Sequence, residues 1–148
     1  MSAPPDDADA YAIVRAIDGR VARLREGGDV GGVGWVVDYL EHLDEWVLAT
    51  AADAIGPLGL RDGMPRLVQL LAAGPEPMPE NIESGQRAYA IAVELNEGMD
   101  VRLGAARSLG RLLRPGDDEA RAALSAAAGN AAEHDGVRAA ARAALLGD

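Results

Sequence analysis

The sequence predicts an all-helical chain built as an α-solenoid of about three to four stacked helix pairs, and three observations predict it. A stretch of sequence recurs. Asp100-Val101-Arg102-Leu103-Gly104-Ala105-Ala106-Arg107-Ser108-Leu109-Gly110 is echoed by Gly136-Val137-Arg138-Ala139-Ala140-Ala141-Arg142-Ala143-Ala144-Leu145, with the Val-Arg steps 36 residues apart. Self-similarity at such a period marks stacked repeats, each of which buries its apolar face only against its neighbours. Apolar residues also recur at three- and four-residue spacing through most of the chain, the period of a helix with one buried face. Finally, 49% of the 148 residues are hydrophobic, yet Phe is absent and aromatics make up 3%. A core of Ala, Leu, Val and Ile suits closely approaching helices, and strand formers are too sparse for a sandwich.

A weaker copy precedes these two. Asp44-Glu45-Trp46-Val47-Leu48-Ala49-Thr50-Ala51-Ala52-Asp53-Ala54-Ile55-Gly56 aligns Ala51-Ala52 and Ile55-Gly56 with Ala105-Ala106 and Leu109-Gly110, at an offset of 54. The offset exceeds one repeat, so an insertion is expected between them.

In chain order, Tyr11, Val14, Ile17, Val21 and Leu24 mark the buried face of a first helix over residues 9–26, ended by Gly27-Gly28. Val33, Val36, Leu40 and Leu43 define a second. Asp44 is placed to cap a third that buries Val47, Ala51, Ile55 and Leu58, and Gly56-Pro57 and Gly59 stop it. Asp62 is expected to cap a fourth, with Met64, Leu67, Val68 and Leu71 inside and Pro65 in its first turn. Residues 74–86 read as a Pro-rich surface loop. Over 86–97, Tyr89, Ile91, Val93 and Leu95 alternate as in a strand. Their Ala and Glu neighbours favour helix, which is preferred because a lone strand has no partner. Asp100 is expected to cap the helix that buries Val101, Ala105, Leu109 and Leu112, and Pro115-Gly116 ends it. Asp117-Asp118-Glu119 puts negative charge at the next helix start, where the helix dipole favours it, and a last helix runs from Asp135 to Leu146. The chain reads as one domain over 1–148, with residues 1–8 expected to lack order.

The pattern of an Asp, then Val-Arg, an Ala-rich turn and Leu-Gly resembles the HEAT-like repeats of the short bacterial kind first associated with phycobilisome lyases. Asp100-Val101-Arg102 with Ala105-Ala106 and Leu109-Gly110 carries the resemblance best. Asp135 with Val137-Arg138, Ala141 and Leu145 follows it, and Asp44 with Val47, Ala51-Ala52 and Ile55-Gly56 matches all but the Arg, replaced by Leu48. The resemblance implies a right-handed superhelix of the HEAT or armadillo type, with Asp100, Arg102, Asp135 and Arg138 as a structural polar ladder. It also implies that the second helix of each pair lines a concave binding face. Architecture of this kind does not name a reaction.

Formal net charge is −10, and every basic residue is Arg. An acidic surface repels a phosphate backbone, so nucleic acid is not expected as a partner. Residues 1–100 carry 18 acids against 7 Arg and residues 101–148 carry 6 against 7, so a basic protein would be steered to the N-terminal two thirds, unless the acidity only aids solubility. Zero cysteine excludes disulfides and thiolate metal sites, and fits a reducing, cytoplasmic location. The N-terminus is polar and acidic, unlike a secretory signal, and no apolar run is long enough for a membrane span.

The expected binding face carries Trp35, Tyr39 and His42, spaced four and three, with Asp38 beside them and Trp46 close behind. Packing of Trp35 and Tyr39 against the first helix is the competing reading. Asp38 and His42 share a helical face, but no nucleophile signature accompanies them, and two histidines give no three-ligand metal set. No catalytic residue, metal or cofactor is expected. Arg107, Arg111 and Arg114 form a basic stripe that would hold an anion or an acidic partner, or else pair with neighbouring carboxylates. The glycines at 27, 28, 31, 32 and 34 do not make a phosphate loop, since no strand precedes them and no Lys follows.

These readings converge on a non-catalytic protein-binding module, such as an adaptor, scaffold or immunity-type inhibitor, with another protein as partner and no membrane. The alternative is an accessory subunit or a lyase-like enzyme handling a pigment or other small molecule. Self-assembly through the Ala-rich C-terminal helix is a further expectation.

Overall fold

A computed structural model describes residues 3–5, 7–28, 31–74 and 98–146. Among the described residues all regular structure is helical: α1 (Ala10–Arg25), the 3-10 segment η1 (Gly34–Glu41), α2 (Glu45–Ile55), the short 3-10 turn η2 (Arg61–Gly63), α3 (Met64–Ala73), α4 (Met99–Leu112), α5 (Asp118–Gly129) and α6 (Asp135–Leu145). No helix among them is long and apolar enough to cross a membrane. The Pro-rich loop expected at 74–86, beyond Gly74 itself, and the helix expected at 86–97 lie outside the described residues.

Helix starts follow local chemistry, with three departures from expectation. Asp9 caps α1 by accepting from the Ala12 N–H at 2.8 Å, and Asp44 caps α2 by accepting from Val47 N–H at 3.2 Å. The second helix is a 3-10 segment. Its i to i+3 bonds, such as Val36 N–H to the Val33 carbonyl, bury Val33, Val36 and Leu40 but end before Leu43, which is fully exposed. Asp62 lies in η2, and Gly63 takes the cap position of α3, where Pro65 fills a first-turn site that needs no donor. Asp100 sits in the first turn of α4, favourable for its charge, while the left-handed Gly98 (φ 72°) is the cap. The last helix, α6, opens at Asp135 as expected, and His134 caps it through Nδ1, which accepts from Gly136 N–H at 3.0 Å.

The helices that carry the repeated motif form one row. α2 packs against α1 on one side and α4 on the other, and α4 in turn packs against α6. Behind them, η1 lies on α2, α3 on α4, and α5 on α3 and α6. The interior is one continuous cluster in which Ile17, Val36, Leu40, Val47, Ile55, Leu67, Leu109, Leu124 and Val137 are fully buried. Burying the predicted stripes of α2, α4 and α6 against the second row is what holds the two together.

Small residues set the spacing along the motif row. A Cβ at Gly104 would come within 2.9 Å of Asp53 N and 3.3 Å of the Ala49 carbonyl. One turn on, Ser108 donates to the Ala52 carbonyl and accepts from Gly56 N–H at 2.9 Å. Contacts that advance together along both helices mean that α2 and α4 run in the same direction. The Ser108 hydroxyl thereby supplies a partner for two backbone groups near the end of α2.

The expected polar ladder takes another form. Buried Arg102 meets Glu133 at 2.8 Å, from the turn before α6, and Glu133 also accepts from His134 N–H. Arg138 instead pairs with Asp135 on its own helix. Leu48, which replaces the motif Arg in α2, is half-buried against the core. A second bridge runs from Arg61 in η2 to Asp117 ahead of α5 at 3.0 Å, and Arg61 also donates to the Leu112 carbonyl that ends α4, which ties the rows together.

Candidate binding groove

The motif helices turn their outer faces onto a continuous groove. One depression of about 530 Å³ lies among α1, α2 and α4, and a second of about 660 Å³ continues between α4 and α6. Arg25, Asp53, Pro57, Leu103 and Arg107 line both and so join them. The floor is built of small residues, including Ala49, Gly104, Ala106 and Ala140, so that an incoming chain could approach the helices closely.

Its lining repeats with the sequence motif. Trp46, Asp100 and Gly136 hold one motif position, Ala49, Leu103 and Ala139 the next around the face, then Thr50, Gly104 and Ala140, then Asp53, Arg107 and Ala143. Pro57 and Arg111 share a fifth. The buried motif positions are near-constant because they set the stacking. Apart from Gly104, whose close approach to α2 leaves no room for a side chain, the groove positions differ in charge and size from copy to copy.

Charge is divided along the groove. On its α1–α2 side, desolvation raises the Asp18 carboxyl above its ordinary value, the neighbouring Asp53 carboxylate raises it further, and Arg25 partly offsets both. On the α4 side, Arg107 and Arg111 stand one turn apart and exposed, and neither forms an ion pair among the described residues. At the α6 end the lining is nearly all alanine.

The structure distributes the expected site residues over two places. Trp35, Tyr39 and His42 do come together at η1, with successive ring centroids 6.0 Å apart, but Trp35 and Tyr39 are partly buried against the core, on a segment that packs on α2. They line neither depression. Asp38 is exposed, and His42 Nδ1 accepts from Asp44 N–H at 3.0 Å, so that nitrogen is held by backbone rather than by a carboxylate. Trp46 alone of the five lines the groove, half-exposed, with Tyr11 6.4 Å away. Tyr11 was expected inside and is 58% exposed, with the Arg15 guanidinium 5.6 Å above its ring. Of the basic stripe, Arg107 and Arg111 line the groove. Arg114 lies beyond the end of α4, its N–H donating to Asp117 and its carbonyl accepting from Arg121.

Sequence reasoning missed Asp18, Arg25, Asp53 and Asp100 as groove residues. The signal was present for the last two: they occupy the motif positions that face away from the core in every copy. Among the described residues no three potential metal ligands gather. Compared with protein-family models, curated proteins and solved structures, the chain matches none.

Proposed function

We propose that the chain is a small right-handed α-solenoid of HEAT-like repeats that acts as a non-catalytic protein-binding module, and that the groove on α1, α2, α4 and α6 is its binding face. The observation that carries this reading is the lining of the groove by equivalent positions of successive motif copies. The close approaches of Gly104 to α2 and of Gly110 to α6 support the stacked arrangement, because each motif helix lies on the next through its small residues. A concave surface with a small-residue floor, a half-exposed Trp toward one end and, further along, Arg107 and Arg111 without ion pairs among the described residues suits a protein segment, for which aromatic and Arg side chains commonly anchor binding. The concave face thus falls on the motif helices and not on the segment that carries Trp35.

A photo-reactive amino acid placed at Ala49, in the groove floor, tests the assignment against one placed at the exposed Ala126 of α5. Exposed to its native lysate, the groove-labelled protein should form a discrete cross-linked species that Trp46→Ala with Arg107→Ala abolishes. Equal labelling from both positions, or loss with Trp35→Ala and Tyr39→Ala instead, overturns it.

A further inference from the structure

Resting on that reading of the groove, we infer that its occupant is an extended segment of another protein with a basic and an acidic side chain roughly three residues apart. The basic group sits over Asp18 and Asp53, and the acidic group over Arg107 and Arg111. The argument begins with where the charges stand. Asp18 on α1 and Asp53 on α2 line the same depression, near enough for the Asp53 charge to act on Asp18, and the two arginines stand on the next helix of the row, α4. Neighbouring packed helices lie about 8–10 Å apart, and a ligand that meets both charge centres has to span about one such step. An extended polyproline-II chain advances about 3.1 Å per residue and returns to the same side every third residue, placing residues i and i+3 about 9 Å apart on one face.

The electrostatics call for both halves of such a ligand. The two carboxylates already disfavour one another, and Arg25 on the wall of both depressions offsets this only in part. A cation delivered from outside relieves the conflict. Arg107 and Arg111 present two guanidinium groups without ion-pair partners among the described residues, the arrangement that accepts a carboxylate by paired hydrogen bonds. Asp100, in the first turn of α4, adds a third acid on the Trp46 side and helps keep the acidic residue of the segment away from that end. Past the arginines, Ala139, Ala140 and Ala143 leave room for a small or apolar side chain. The opposed charges give the segment one polarity in the groove, because reversing it sets like charges against like.

A random peptide-display library selected on the full chain tests this. Expected are peptides with Lys or Arg three residues from Asp or Glu, whose binding is lost when Thr50→Trp or Ala139→Trp crowds the groove. R107E with R111E should weaken those peptides about tenfold or more and enrich a basic residue where the acidic one stood. D18N with D53N should relax the choice at the basic position alone. Peptides that need the groove but show no charge pattern overturn this inference and leave the binding reading standing. Failure to enrich any groove-dependent peptide overturns both, and circular dichroism on each variant shows that the helices persist.

Discussion

Gly56 lies so close to Ser108 that a Cβ on the glycine would come within 2.7 Å of the serine Cα, and the same approach recurs between Gly110 and Ala144, where a Cβ would meet the alanine Cβ at 2.8 Å. The two glycines hold one motif position and Ser108 and Ala144 another, 36 residues apart. Each Leu-Gly or Ile-Gly step of the motif therefore exists to let the following copy lie against it. Gly56→Ala and Gly110→Ala should each destabilise the fold by about 1–3 kcal/mol, read from urea unfolding midpoints, because backbone or a short side chain must shift to admit the methyl. Gly19→Ala serves as the opposite case. It sits inside α1 with nothing within 4 Å of the added carbon, and should stabilise by about 0.5–1 kcal/mol. Equal losses at all three sites would mean that the close approach does not set the requirement.

Ser108 goes further than contact, since its buried hydroxyl bonds both the Gly56 N–H and the Ala52 carbonyl. Ser108→Ala keeps the volume and removes the bonds. It should cost about 1–3 kcal/mol, the penalty of leaving a buried donor unpaired, and amide hydrogen exchange at Gly56 should accelerate before that of Val47. Unchanged exchange at Gly56 would show that water replaces the hydroxyl.

The Arg102–Glu133 pair ties α4 to the turn ahead of α6, with both side chains almost wholly removed from solvent. Breaking it from one side strands a buried charge. Glu133→Gln or Arg102→Met should each lose about 3–5 kcal/mol, while the double change to Met and Leu should be milder than the sum of the singles. Additive losses in that double-mutant cycle would refute the coupling.

What could be read from the sequence divides along a physical line. The buried stripes of α2, α4 and α6 were legible in Val47, Ala51 and Ile55, in Val101, Ala105 and Leu109, and in Val137 and Ala141, since a helix of fixed period must bury one face. Capping residues were less legible. An Asp near a helix start gains from the dipole whether it caps or follows the cap, so Asp100 and Asp135 mimic caps that Gly98 and His134 provide. Contacts between distant segments were not legible at all. Tyr11 finds Trp46, and Arg102 finds a glutamate outside the repeated stretch, in ways no local periodicity encodes. The groove itself was not read from the sequence for a related reason: the aromatic residues of the expected binding face sit on η1, which does not line it. The outward positions of the motif helices in fact pair an acid at Asp53 with a base at Arg107 at the same place in successive copies.

Arg61 and Asp117 give the fold a defined acid sensitivity. The hydrogen bonds from the Arg61 side chain, then from the Arg114 backbone, hold the Asp117 carboxyl below its ordinary value of 3.8. A carboxyl lowered by folding contributes stability that is complete above the unfolded-state value and disappears as pH falls through the folded-state value. Asp117→Asn should therefore lower the urea midpoint at neutral pH, and the gap from the parent chain should close below 3.8. A gap that stays constant to about pH 2 would mean that the pair acts by shape and not by charge.

Asp18 carries the opposite sign, and its position in the groove makes the sign informative. Desolvation first, then the Asp53 carboxylate, raise its carboxyl above 3.8, with Arg25 opposing. The folded state thus binds this proton more tightly than the unfolded chain does, so ionised Asp18 is a liability at neutral pH that vanishes as pH falls through the raised value. Asp18→Asn should stabilise the protein at pH 7, and its advantage should shrink on acidification, before the losses at Asp117 begin. A destabilised variant at pH 7 would place Asp18 in a structural pair instead. The expected gain bears on the proposed groove: a charge conflict that Arg25 offsets only in part is what a cationic ligand would relieve on binding. The same substitution should then stabilise the free protein while weakening a bound basic peptide, two readouts that a merely structural carboxylate would not move in opposite directions.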